Sequence, residues 1–146
     1  MSRLQWVQTS VVNLASRIEQ LTKVYSARLL IGEHTFCSLR EPEGYSIRLV
    51  DRVAVSGKNA AVDLYEVIDA EAPERQQAKL ATRPLLQSAM QRYSRGEFDA
   101  ALTLFEQMRA QDPDDFVPIL FADRCSRYLQ EGPQSDWQGF ERLTLK

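Results

Sequence analysis

Histidine and cysteine are scarce in this chain, with one His and two Cys among 146 residues. His34 stands alone, and no Cys/His cluster has metal-ligand spacing, which argues against a transition-metal site. Cys37 and Cys125 are far apart in sequence. They are expected as buried or half-buried free thiols, since a disulfide is disfavoured in a reducing compartment. No apolar run approaches the ~20 residues that a membrane-spanning helix needs. The opening residues Met1 to Gln8 lack the apolar core of a signal peptide, so the cytoplasm is the expected compartment. A basic excess is missing as well. Residues 1–76 hold nine Lys/Arg against ten Asp/Glu, and residues 77–146 hold the same numbers. Neither half is therefore suited to nucleic acid or to an anionic membrane.

What the chain does have is ordinary for a soluble globular protein: 44% apolar and 26% charged residues, with a net charge of −2. The length fits one domain or two very small ones. Val11, Leu14, Ala15, Ile18, Leu21 and Tyr25 recur at three- and four-residue steps, which predicts an amphipathic helix over about 10–25, with Thr9 or Ser10 as its N-cap. Asn13 and Arg17 fall on one strip of that helix. An amide beside a guanidinium suits a polyanion, because Arg presents a fixed fork to phosphate oxygens and Asn a donor to a sugar oxygen. The same spacing is common on solvated helix faces.

Arg28 to Ile31 reads as a short strand ending at Gly32, followed by a helix or turn over 33–39 and a loop at Arg40 to Gly44. Tyr45 to Val55 and Val62 to Val67 read as an antiparallel hairpin about the turn Ser56-Gly57-Lys58-Asn59. Val50 and Asp51 interrupt its alternation, as a bulge or bend does. Asp51 and Asp63 are expected to be solvated. The polar stretch around Pro73 suggests a boundary: 1–70, a linker at 71–79, and a helical part at 80–146. Helices are expected over Leu85 to Ser94, Phe98 to Ala110 and about Phe116 to Leu129, the last stopped by Glu131-Gly132-Pro133. Ala89, Tyr93, Gly96, Phe98, Ala101, Phe105 and Pro113 together resemble a single tetratricopeptide repeat (TPR). One repeat is short of the three that a solenoid needs, so an all-α TPR-like appendage is expected, with Trp137, Phe140 and Leu143 packing back on it.

Four blocks in order carry a further resemblance: Val12-Asn13-Leu14-Ala15-Ser16-Arg17-Ile18-Glu19, Ala27 to Glu33, Val53 to Lys58 and Val62 to Val67. Together they resemble the C-terminal part of a class III adenylate/guanylate cyclase catalytic domain. Asp136-Trp137-Gln138-Gly139 after the helices also recurs in bacterial members of that family. The resemblance implies an α+β fold, a partial ferredoxin-like half made of a helix, a short strand and a hairpin. It also implies cyclic nucleotide synthesis from ATP or GTP with Mg²⁺ or Mn²⁺, in head-to-tail dimers with shared sites. By position, Asn13 and Arg17 would contact the ribose and triphosphate. The family's hairpin turn is Lys-Gly-Lys; here it is Ser56-Gly57-Lys58, which leaves Lys58 as the candidate contact to the leaving phosphates. Trp6 stands at the base-selecting position, and the family's two metal-binding aspartates belong to a region not represented in these residues. The expectation is a chain that is catalytically incomplete by itself and is paired as a homodimer or with a complementing cyclase chain. The alternative is a non-catalytic module that binds a protein through its helices. A lone hairpin with one helix buries too little apolar surface to be stable. Either self-association or the helical appendage should therefore cover it.

Overall fold

Segments of regular structure account for most of residues 20–55, 61–133 and 137–143, which the computed structural model describes. Residues 20–25 are helical, α1, with Leu21 and Tyr25 buried. Ser26 follows in the left-handed region at φ 52, and the Ala27 N–H bonds the Thr22 carbonyl at 3.0 Å. That is how a helix satisfies its last carbonyls when glycine does not end it. Strand β1 (Leu30–Gly32) leads into the short helix α2 (Glu33–Cys37), whose Phe36 stacks on Tyr65 at 4.2 Å.

Strands β2 (Ile47–Val55) and β3 (Val62–Val67) form the expected hairpin, and β1 pairs antiparallel with the other side of β3. The register shifts between Leu49 and Asp51, the bulge that the broken alternation announced. One face of the hairpin buries Arg48, Asp51, Leu64 and Glu66, while Ile47, Leu49, Tyr65 and Val67 on the other face are half-buried.

Three helices follow: α3 (Pro73–Ser94), α4 (Phe98–Gln111) and α5 (Phe116–Glu131). The first begins twelve residues before the expected Leu85. Pro73 occupies its first turn, where a missing N–H costs nothing. Pro84 lies inside the helix on its exposed side, and a proline so placed imitates a helix start in the sequence. Gly96, at φ 79, makes the turn to α4, and buried Ala89 and Ala101 lie on the two helices it joins. Beyond α5 a strand absent from the sequence reading, β4 (Glu141–Leu143), adds parallel to β2 at Val53–Val55 and completes the order β1-β3-β2-β4.

The helices cover the sheet. A single apolar cluster runs from Leu21, Tyr25, Leu30, Val50, Val53 and Leu64 through Leu86, Ala89 and Tyr93 to Phe105, Met108, Phe121 and Cys125. Each fully buried large side chain in it contributes about 1.5–3 kcal/mol. The appendage thus supplies the apolar cover that the hairpin lacks alone. Trp137 closes the helical end against Tyr93, Phe98 and Tyr128 and donates to the Ser94 carbonyl at 3.0 Å.

Candidate functional site

The residues expected to carry chemistry, Asn13, Arg17 and Lys58, lie outside the described residues, as does Trp6. The structure does show how the end of α1 is held. Tyr25 donates its hydroxyl to Asp51 Oδ2 at 2.6 Å, and Arg124 of α5 donates to the same oxygen at 2.7 Å. Asp51 Oδ1 takes the Arg52 N–H at 2.8 Å. Arg124 Nε lies 2.6 Å from Glu141 Oε2 on β4, and Arg127 donates to the other oxygen at 2.6 Å. Helix, bulge and appendage therefore meet at the Asp51 carboxylate, and Arg124 links the edge strand to it through Glu141.

Asp51 is 1% exposed, which corrects the expectation that it is solvated. An aspartate this deep is tolerated only with full pairing, and the bulge turns it inward, where two donors await it. Burial, together with the Asp51 charge, pushes the Tyr25 phenol above its ordinary range and keeps it a neutral donor. Burial alone would weaken Arg124's hold on its proton, but the charges of Asp51 and Glu141 more than offset it. Asp63 is half-buried and sits 3.7 Å from Arg52.

A second network joins the sheet to α3 and α5. Arg48, 2% exposed, donates to Glu66 at 2.7 Å and forks onto Asp115 at 2.7 and 2.9 Å. Asp115 also caps α5 by accepting the Val117 N–H. Lys79 of α3 pairs with Glu66, and with Glu71 at 3.0 Å. A polar cleft of about 480 Å³ opens beside this network between the end of α1 and the start of α3, bordered by Lys23, Arg28, Glu71, Arg75 and Asp114. Arg28 pairs with Glu71 at 3.4 Å and Arg75 forks onto Asp112 at 2.7 and 3.0 Å. Its cations are thus largely neutralised by built-in carboxylates.

Among the described residues no three His, Cys, Asp or Glu side chains are grouped to hold a metal ion. Asp51, committed to Tyr25 and Arg124, is not free to join a metal site. No described helix is long and apolar enough to cross a membrane. Cys125 is buried, but Cys37 on α2 is exposed, contrary to expectation. The buried charges Arg48, Glu66, Lys79, Asp115 and Arg124 went unread in the sequence. The one local signal was a charged residue at an inward strand position, as with Arg48 and Glu66.

No family model and no solved structure matches the chain. Curated proteins do. It is 39% identical over 120 residues, 82% of its length, to a protein of Dictyostelium discoideum named "Adenylate cyclase, terminal-differentiation specific". It is 51% identical over 57 residues, 38% of its length, to a protein of Anabaena cylindrica named "Adenylate cyclase". The aligned parts are 6% and 11% of those relatives' own lengths. A 120-residue alignment is too long for the part before Pro73, so the likeness extends into the helices. The chain is thus related to proteins named adenylate cyclase.

Proposed function

We propose that these residues are the C-terminal part of a class III nucleotide cyclase domain with its following TPR-like helices. Asn13 and Arg17 would bind the ribose and triphosphate, and Lys58 would face the leaving phosphates. The observation that carries this reading is the 39% identity over 120 residues, because one alignment takes in both the sheet and the helices. The Tyr25–Asp51–Arg124 contact supports it physically: the appendage fixes the end of the helix on which Asn13 and Arg17 are expected.

Cyclisation is an in-line attack of the ribose 3′ oxygen on the α-phosphorus, with pyrophosphate leaving. The step requires charge neutralisation around the phosphates. Arg17 suits this role through its fork of donors, and Asn13 suits holding the sugar. Among the described residues none is grouped to hold a metal ion, so in this reading the metal carboxylates are supplied by another cyclase segment or by a partner cyclase chain. The head-to-tail pairing of the family makes such sharing possible.

The test is cyclic nucleotide formation from ATP or GTP with Mn²⁺. The chain alone is expected to form none. Mixed with a cyclase domain that keeps its metal aspartates but carries Ala for its own Asn and Arg, it should restore product, and Arg17→Ala should abolish the restoration. Product from the chain alone, lost in Arg17→Ala, would overturn the incompleteness. Failure of the mixture would overturn complementation.

A further inference from the structure

The edge of β2 is only partly covered. β4 pairs with it at Val53–Val55 and nowhere else among the described residues. Just before β4 the chain swings off the sheet: Gly139 has φ 91, a Cβ there would lie 3.1 Å from the Ser94 carbonyl, and Trp137 is tied to that same carbonyl. The swing leaves an open slot of about 590 Å³ between the first half of β2 and one stripe of α3, within the range of ligand sites. Its helical wall is Arg83, Leu86, Gln87, Met90, Gln91 and Ser94, spaced three and four apart.

The two walls differ in chemistry. On the strand side, the Ser46 carbonyl accepts from Ile68 beside β3 at 2.7 Å, so Ser46 faces inward. Alternation then turns the N–H and C=O of Ile47 and Leu49 toward the slot. Arg83 already reaches across to the Ile47 carbonyl at 3.2 Å, which confirms that direction. On the helix side, buried Leu86 and half-buried Met90 give an apolar floor between the amides of Gln87 and Gln91. At the Gly139 end Tyr93, 2% exposed, borders the slot, and its buried hydroxyl has no hydrogen-bond partner among the described residues. Buried hydroxyls are seldom left so. At the mouth, Arg52 is neutralised by Asp63, whereas Arg83 forms no ion pair among the described residues.

We propose that this slot takes an extended peptide segment that adds to the free edge of β2 in line with β4. Only a backbone matches a row of strand N–H and C=O groups facing a helix stripe, the arrangement of strand addition. Alternate side chains of the segment would enter between Leu86 and Met90, and an acidic one would meet Arg83. The proposal stands independently of any cyclase activity.

The probe is a displayed library of acetylated hexapeptides selected on the full chain, with a Gln87→Trp variant as counter-selection. Gln87 is exposed, so Trp there fills the slot without disturbing the core. Enriched sequences should alternate apolar and polar residues and carry Asp or Glu at one end. Titrated by NMR, they should shift the amides of Leu49, Met90 and Tyr93. N-methylation at alternate peptide positions should weaken binding at least tenfold, while methylation at the intervening positions should not. Three results would overturn the proposal: no enrichment over Gln87→Trp, shifts confined to other surfaces, or binding insensitive to N-methylation at every position. The last would mean recognition by side chains alone, without strand pairing.

Discussion

Replacing Asp51 by Ala should destabilise the protein by about 3–5 kcal/mol, the usual cost of breaking a buried ion pair from one side. The structure supplies the reason. The substitution removes the acceptor at 2.6 Å from the Tyr25 hydroxyl and at 2.7 Å from Arg124, and Arg124 is only 3% exposed. Glu141 remains beside Arg124 Nε, so the charge is not wholly stranded. The orphaned Tyr25 hydroxyl alone accounts for roughly 1–3 kcal/mol of the loss. Domains are stable by only about 5–15 kcal/mol, so the effect is a large fraction of the whole. With a urea slope of about 1–3 kcal/mol/M, the unfolding midpoint followed by circular dichroism should fall by roughly 2 M. The variant Tyr25→Phe/Asp51→Leu/Arg124→Met removes donors and acceptor together. It should recover most of the loss, because apolar replacement of a whole buried network is often neutral. A fall below about 1 kcal/mol for Asp51→Ala would refute the argument. So would a triple variant as unstable as the single one, since lost volume would then outweigh unpaired charge.

Two further outcomes can be checked on the same protein. Burial by itself would raise the Asp115 carboxyl, but the Arg48 guanidinium and the Val117 N–H outweigh it and hold the group below its ordinary range. Its stabilising contribution is therefore present above the unfolded value of about 3.9 and drains away as pH falls through the lower folded value. The urea midpoints of the parent and Asp115→Asn should differ at neutral pH and converge below about pH 4; a constant gap would refute this. Burial also pushes the Cys125 thiol up to about 12, while Cys37 is exposed. A thiol reagent at about pH 8 should titrate one thiol in the native protein and the second only in denaturant. Rapid native reaction at Cys125 would mean that α5 opens readily.

Local chemistry made much of the fold legible. The hairpin, its bulge at Val50-Asp51, the helices over 98–110 and 116–129, and their breaks at Gly96 and Gly132 follow from periodicity, turn residues and capping. All of these act within a few residues. The long start of α3 was hidden because Pro84 imitates a beginning. The cyclase relationship was legible in the order of four short blocks, and the likeness to two proteins named adenylate cyclase agrees with it.

The tertiary structure alone decided where the charges went. Arg48 meets Asp115 across 67 residues and Asp51 meets Arg124 across 73. β4 finds β2 from the far end of the chain. An aspartate on a strand has the same local sequence signature whether it faces water or a buried arginine. Pairing it inward requires a partner that only the folded helices bring within reach, and the free energy of that choice is set by desolvation at the assembled interface.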